Sequence, residues 1–143
     1  MARILAIDYG QKRTGIAVTD PETIIASPLI TLPTAKTMDW IFEYIKNEPV
    51  STIVIGKAID MNGKPSPSSQ FIEPFVQRLN NALSSSSIKI VRMDERFTSI
   101  MAHQTLIEAG VSKKIKNDKG IIDKVSAAII LQSYMQTLTN QTT

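Results

Sequence analysis

Residues 3–19, RILAIDYGQKRTGIAVT, contain two short apolar runs separated by a polar turn. Residues 3–7 predict a buried strand and residues 14–19 predict its hairpin partner, because both runs consist mainly of apolar side chains bounded by turn-forming residues. Gly10 supplies the backbone freedom that the intervening turn requires. The chain is therefore expected to begin with an antiparallel hairpin, and Asp8 stands where its first strand ends.

Three more strands are predicted further along the chain, at residues 26–32, 50–55 and 88–93. Pro28 interrupts the first of these, which indicates an edge position or a bulge. A strand, a helix and a strand in succession usually give a parallel pair with a crossover. The sequence therefore predicts an α/β fold, with a five-stranded mixed sheet flanked by α-helices.

Helical spacing of apolar residues predicts helices over residues 38–45, 72–83 and 121–138. Thr37 is the candidate cap of the first helix, and Thr98 or Ser99 is the candidate cap of another helix that runs to residue 109. Pro74 requires either that its helix begins late, near Ile72, or that the helix is kinked. The last helix is apolar nearly all round, so it should be largely buried.

Length and composition limit the class of protein. A chain of 143 residues with 43% hydrophobic content fits a single domain spanning residues 1–143. Cysteine is absent from the sequence, which excludes disulfides and thiolate nucleophiles and fits a reducing compartment. No apolar run approaches the length of a membrane span. A cytoplasmic protein without membrane insertion is therefore expected.

Positive charge is unevenly distributed, although the net charge is only +3. Five lysines crowd one stretch, and two more cations lie in the first turn: Lys113, Lys114, Lys116, Lys119 and Lys124, with Lys12 and Arg13. Such local fields attract phosphate backbones, but a solvated lysine face explains a single cluster more often. Charge alone does not choose between the two.

Three acids occupy positions from which they could converge. Asp8 and Glu95 follow predicted strands, and Asp123 opens the last helix. Ligands collect beyond the carboxyl ends of parallel strands, and three carboxylates at one place repel unless hard cations such as Mg²⁺ or Mn²⁺ bind them. Two such ions about 4 Å apart would support hydrolysis of a phosphodiester bond. A nuclease is therefore the leading hypothesis, with Lys12, Arg13 and Arg96 holding flanking phosphates.

Each acid also has an ordinary structural explanation. Asp8 could form a turn before Gly10, Glu95 could lie at a helix cap, and Asp123 could lie in a first turn favoured by the helix dipole. Taken singly, each of these explanations is the commoner one.

The motifs together resemble those of the YqgF (RuvX) family. They are DYGQKRTGIA at residues 8–17, VIG at 54–56, DERFTS at 94–99 and IDK at 122–124, and the resemblance covers nearly the whole chain. It implies a ribonuclease H-like fold and either Holliday junction resolution or maturation of the 5′ end of pre-16S rRNA. It also implies that Asp8, Glu95 and Asp123 are the catalytic, metal-binding acids. One departure is Lys57-Ala58, where the family commonly has Leu-Pro after the glycine.

The sequence therefore predicts a metal-dependent endonuclease, with rRNA precursor preferred over branched DNA as its substrate and with a monomer or a homodimer as its state. Lys57 and Thr98 complete the expected substrate contacts. A sugar-kinase or actin-like ATPase also begins with an Asp-x-Gly hairpin, but it needs a second lobe for which 143 residues leave no room. A non-catalytic nucleic-acid-binding or ribosome-associated module is the remaining alternative.

Overall fold

A computed structural model describes residues 2–23, 25–59, 62–94, 101–102 and 119–141. These residues form five strands in one sheet: β1 (Arg3–Tyr9), β2 (Arg13–Thr19), β3 (Ala26–Pro33), β4 (Val50–Lys57) and β5 (Lys89–Asp94). The strand order is β3-β2-β1-β4-β5. Strands β1, β4 and β5 are parallel, whereas β2 and β3 are joined in antiparallel fashion. The predicted five-stranded mixed sheet is confirmed.

The opening hairpin forms as predicted, and its register positions Asp8. Leu5 pairs with Val18 at one end and Tyr9 pairs with Thr14 at the other, so Asp8 lies opposite Gly15. Both strands are almost fully buried in their middle residues. This register is strongly specified, because a shift of one residue would turn the apolar side chains to the other face.

Strand β3 is an edge strand, as Pro28 indicated, and it also contains a bulge. Ile16 pairs with Ile30 whereas the next residue, Ala17, pairs with Pro28, so Leu29 is the extra residue. A proline cannot donate to the sheet, and both an edge and a bulge tolerate that loss. The two expectations for this strand are therefore both confirmed.

Helix α1 spans Thr37–Asn47 and follows a 3₁₀ turn at Thr34–Lys36. The prediction that Thr37 caps this helix is wrong. Lys36 occupies the cap position, no side chain bonds to the first turn there, and Thr37 is the first helical residue, with its side chain buried. The 3₁₀ turn continues directly into the α-helix, so Thr37 already has helical dihedral angles and cannot serve as an extended cap.

Helix α2 spans Ser69–Ala82 and contains Pro74 in its interior. A late start near Ile72 is therefore wrong, because the helix begins three residues earlier. Pro74 is its sixth residue and has no N–H to donate to the carbonyl of Gln70. Pro74 lies on the exposed side of the helix, whereas Ile72, Phe75, Val76 and Leu79 form the buried stripe.

The two faces of the sheet carry separate apolar clusters. Leu5, Ile7, Ile16, Ile53 and Ile55 pack with residues of α1 and α2 on one face. Helix α3 spans Lys119–Gln141 and packs on the other face of the sheet. The strand residues that point to this face contact apolar residues of the helix: Ile4, Ala6, Ala17 and Val54 with Ala127, Ala128, Ile130, Leu131 and Tyr134. Six consecutive residues of α3, 126–131, are buried, so the predicted burial of this helix is confirmed.

The predicted helix that begins near Thr98 lies outside the described residues, apart from the helical residues Met101 and Ala102. Among the helices of the described residues, none combines the length and the apolar content needed to cross a bilayer.

Candidate active site

Asp8 projects from the end of β1 toward helix α3. Side chains alternate along a strand, and Ile4 and Ala6 lie in the cluster that packs with α3. Asp8 continues this series and is half-buried. Tyr9 points to the opposite face, where its ring stacks on Phe75 of α2 with the ring centroids 4.3 Å apart.

Gly15 brings the start of α3 directly onto the sheet. A Cβ atom at this position would lie 2.0 Å from the carbonyl oxygen of Asp123 and 2.7 Å from the backbone nitrogen of Lys124. Such distances leave no room for any side chain, so glycine is required for this close approach. Because Asp8 is the strand partner of Gly15, Asp8 and Asp123 border the same glycine from two sides.

Arg13 pairs with Asp123 across this junction. Its Nε donates to Oδ2 of Asp123 at 2.9 Å, and the side chains are 41% and 24% exposed, respectively. Arg13 and Gly15 are two residues apart in β2 and therefore project to the same face. Arg13, which the sequence predicted to contact phosphate, therefore pairs with Asp123, which the sequence predicted to bind metal.

A cavity of about 360 Å³ opens beside this pair. It is lined by the turn between β1 and β2 and by the start of α3: Gly10, Gln11, Lys12, Arg13, Lys119 and Asp123. Lys12 and Lys119 form no ion pair with any described residue. The cavity therefore combines a carboxylate that can hold a cation with lysines that can hold an anion. The sequence placed Lys119 only in a lysine-rich stretch and did not assign it to the site.

The remaining predicted site residues divide into two groups. Glu95, Arg96 and Thr98 lie outside the described residues. Lys57 ends β4 on the face of Ile53 and Ile55, which is opposite to that of Asp8, so the structure does not bring it into the cavity. Within the described part of the chain, His, Asp and Glu side chains form no group of three suited to a metal ion.

The donor chemistry of this site nevertheless fits a divalent cation. Asp8 and Asp123 provide hard oxygen ligands of the kind that Mg²⁺ and Mn²⁺ prefer. The guanidinium of Arg13 already occupies a cation position on Asp123. A third acid, Glu95, directly follows Asp94, the last residue of β5, and β5 runs parallel to β4 at the carboxyl edge of the sheet.

A second charged cluster braces the other face of the same sheet edge. Arg92 donates two hydrogen bonds to Glu73 of α2, at 2.6 and 2.8 Å. The same guanidinium donates to the carbonyls of Ile55 and Gly56 at 3.3 and 3.1 Å. Arg92 therefore ties α2 to the carboxyl end of β4. Its bidentate hydrogen bonds are the main reason why the pKa of Glu73 lies below its usual range.

The Glu73 pair predicts a small acid-sensitive contribution to stability. Because the pKa of Glu73 is lowered in the folded protein, ionised Glu73 stabilises the fold at pH values above the ordinary glutamate pKa of about 4.3. This contribution is lost as the pH falls from that value through the lowered pKa. Because Glu73 is about half exposed, we expect Glu73→Gln to cost less than about 1 kcal/mol at pH 7. Urea unfolding at a series of pH values should show the cost shrinking below about pH 4.

Glu43→Gln provides the matched control, because Glu43 is an exposed helical glutamate outside the ion pairs of the described residues. A cost of Glu73→Gln that stayed constant from pH 7 to pH 3 would contradict the ion-pair explanation.

The sequence is similar to those of a known protein family. The sequence model of the RuvX family, described as Holliday junction resolvase, matches residues 2–137. Relatives in Flavobacterium johnsoniae and Bacteroides fragilis, each named "Putative pre-16S rRNA nuclease", are both 50% identical. The alignments cover 94% and 96% of this chain and 96% and 98% of the relatives.

A solved structure shows the same fold at low sequence identity. RuvC of T. thermophilus, in complex with a Holliday junction substrate, aligns with a TM-score of 0.57 over 94% of this chain and 96% of that chain, at 11% identity. This likeness confirms the predicted ribonuclease H-like fold. The match over residues 2–137 and the relatives at half identity agree with the motifs built around Asp8 and Asp123, and the chain is a member of the RuvX family of nucleases.

Proposed function

We propose that this protein is a divalent-metal-dependent endonuclease that cleaves structured RNA and matures the 5′ end of pre-16S rRNA in the cytoplasm. The observation that carries the proposal is that Asp8 pairs with Gly15 while the backbone of Asp123 packs on the same glycine, next to a cavity lined by Asp123, Lys12 and Lys119. The names of the relatives from Flavobacterium and Bacteroides support the choice of substrate.

Each residue has a defined part in this proposal. Asp8, Asp123 and Glu95 would hold Mg²⁺ or Mn²⁺ by their carboxylate oxygens. A metal bound there would supply an activated water and would offset negative charge on the phosphate. Lys12 and Lys119 bind the phosphate backbone on one side of the scissile bond and hold the substrate in place. Arg96 and Thr98, which follow Glu95 in the sequence, are proposed to contact the phosphate backbone as well.

Cleavage of a labelled pre-16S rRNA fragment in the presence of Mg²⁺ or Mn²⁺ tests the proposal directly. A four-way DNA junction provides the second substrate, because the matching family is described as Holliday junction resolvase. We expect the RNA to be cut at a discrete position at the 5′ side and the junction to be cut more slowly. Preferred cleavage of the junction would assign the protein to DNA recombination. Cleavage of neither substrate would indicate a non-catalytic nucleic-acid-binding module.

The ion pair between Arg13 and Asp123 predicts that replacing Arg13 strengthens cation binding and weakens substrate binding. A guanidinium beside Asp123 opposes a second cation at the same carboxylate. We expect Arg13→Gln to tighten Mn²⁺ binding about three- to tenfold, since roughly 1 kcal/mol of repulsion is removed at a partly exposed site. The KM for nucleic acid should rise, because a positive charge beside the lysines that bind the phosphate backbone is lost. Calorimetric titration with Mn²⁺ and cleavage kinetics measure the two effects.

Arg13→Lys is the matched control, since it keeps the charge but not the planar hydrogen-bonding geometry. Its Mn²⁺ affinity should stay close to that of the wild type. Weaker Mn²⁺ binding by Arg13→Gln would instead indicate that Arg13 orients Asp123 for the metal.

A further inference from the structure

Two hydrogen bonds from Thr34 hold the cavity's first wall, the turn between β1 and β2. The Thr34 hydroxyl donates to the carbonyl of Gly10 at 2.6 Å, and its backbone N–H donates to the carbonyl of Lys12 at 3.0 Å. Thr34 directly follows β3, the outer strand of the sheet. One residue therefore fixes both sides of the turn that carries Lys12.

The second wall, the start of α3, is held by the same short stretch of chain. The hydroxyl of Thr31 in β3 donates to the carbonyl of Gly120, three residues before Asp123. Thr31 is also the strand partner of Gly15, at the point where α3 comes closest to the sheet. Gly15 thus has Asp8 on one neighbouring strand and Thr31 on the other.

A buried threonine supports this arrangement from inside the sheet. The hydroxyls of Thr14 and Thr34 lie 3.0 Å apart, and Thr14 is fully buried. The single hydroxyl proton of Thr34 is directed to Gly10, so Thr14 is the donor in this pair. A buried donor that lost its acceptor would be costly, which holds the Thr34 hydroxyl in one orientation.

We propose that Thr31 and Thr34 are positioning residues that set the separation between the Lys12 turn and the start of α3. Their hydroxyls fix where Lys12 lies relative to Asp123, although neither residue lines the cavity. The consequence for phosphate binding rests on the proposed function, whereas the positioning itself does not. No feature of the sequence distinguishes Thr31 and Thr34 from the other residues in and just after β3.

Valine and serine substitutions separate the hydroxyl from the shape of the side chain. Thr34→Val keeps the branched shape and removes the donor, whereas Thr34→Ser keeps the donor. We expect Thr34→Val to speed amide hydrogen exchange at residues 11–13 and to raise the KM for RNA about three- to tenfold, with Mn²⁺ affinity unchanged, because one hydrogen bond is lost. Thr34→Ser should restore both values.

Thr31→Val should have the complementary effect. It removes the hydrogen bond that ties the carbonyl of Gly120 to β3, so the start of α3 and Asp123 shift and the Mn²⁺ dissociation constant rises about three- to tenfold, while exchange at residues 11–13 is unchanged. Thr31→Ser should again restore the wild-type value.

Thr19→Val is the matched control for loss of a buried threonine hydroxyl. The Thr19 hydroxyl accepts from the N–H of Ile4 at 2.9 Å at the other end of the sheet. This variant should be less stable but unchanged in Mn²⁺ affinity, in KM and in exchange at residues 11–13. The proposal is overturned if exchange at these residues is the same in Thr34→Val as in the wild type, or if Thr31→Val binds Mn²⁺ normally while wild type binds it. A wild type that neither binds Mn²⁺ nor cleaves RNA would defeat the proposed function, and the exchange data would still decide the positioning of the turn.

Discussion

Replacing Asp8 by Asn should lower the cleavage rate more than about a hundredfold. Loss of residues that merely support metal ligands costs about 10- to 100-fold, and a direct ligand should cost more. Asn keeps the size of the side chain and one oxygen, so the half-buried end of β1 should keep its structure. Single-turnover cleavage of the RNA substrate in saturating Mg²⁺ measures the effect, and Mn²⁺ titration should show weaker binding.

Asp39→Asn is the matched control for Asp8→Asn. Asp39 is an exposed acid in the first turn of α1, which packs on the opposite face of the sheet from α3. Its replacement should leave cleavage within about twofold of wild type, because surface substitutions of this kind change little. Equal cleavage by the Asp8→Asn protein and the wild type would contradict the metal-dependent mechanism.

Replacing Gly15 by Ala should produce the largest loss of stability. The added methyl would lie 2.0 Å from the carbonyl oxygen of Asp123, so α3 must move away from β2. Overpacking of a buried site typically costs about 1–3 kcal/mol, and a clash of backbone against a methyl belongs at the upper end. We expect a cost of about 3 kcal/mol and a fall in Tm on the order of 10 °C. Cleavage should be lost as well, because Asp123 moves with the helix.

Gly10→Ala provides the comparison for Gly15→Ala. Its Cβ would lie 2.4 Å from the carbonyl oxygen of Arg13, the first residue of β2. The short turn between Gly10 and Arg13 can shift without moving a helix, so the loss of stability should be clearly smaller. A Gly15→Ala protein as stable as the wild type would show that α3 does not rest on Gly15 as described.

The alternation and spacing of apolar residues determined most of the fold. The hairpin of residues 3–19, the edge position of β3 and the burial of the last helix follow from local pattern, because each depends on side chains within a few residues. The predicted cap of α1 was wrong, and of the two explanations considered for Pro74, the late start of α2 was wrong. The first residue of each helix depends on the conformation of the residues before it. The 3₁₀ turn Thr34–Lys36 continues into α1, and α2 begins at Ser69, five residues before Pro74.

The candidate acids can be identified from the sequence alone, because Asp8 ends an apolar run and Asp123 stands at the start of a predicted helix. The structure was needed to show that Asp8 and Asp123 border the same glycine, that Arg13 pairs with Asp123, and that Lys119 lies across the cavity from the Lys12 turn. These arrangements join distant parts of the chain, and Arg13 and Asp123 are 110 positions apart. Such contacts arise from the packing of α3 on β2, which no local pattern encodes.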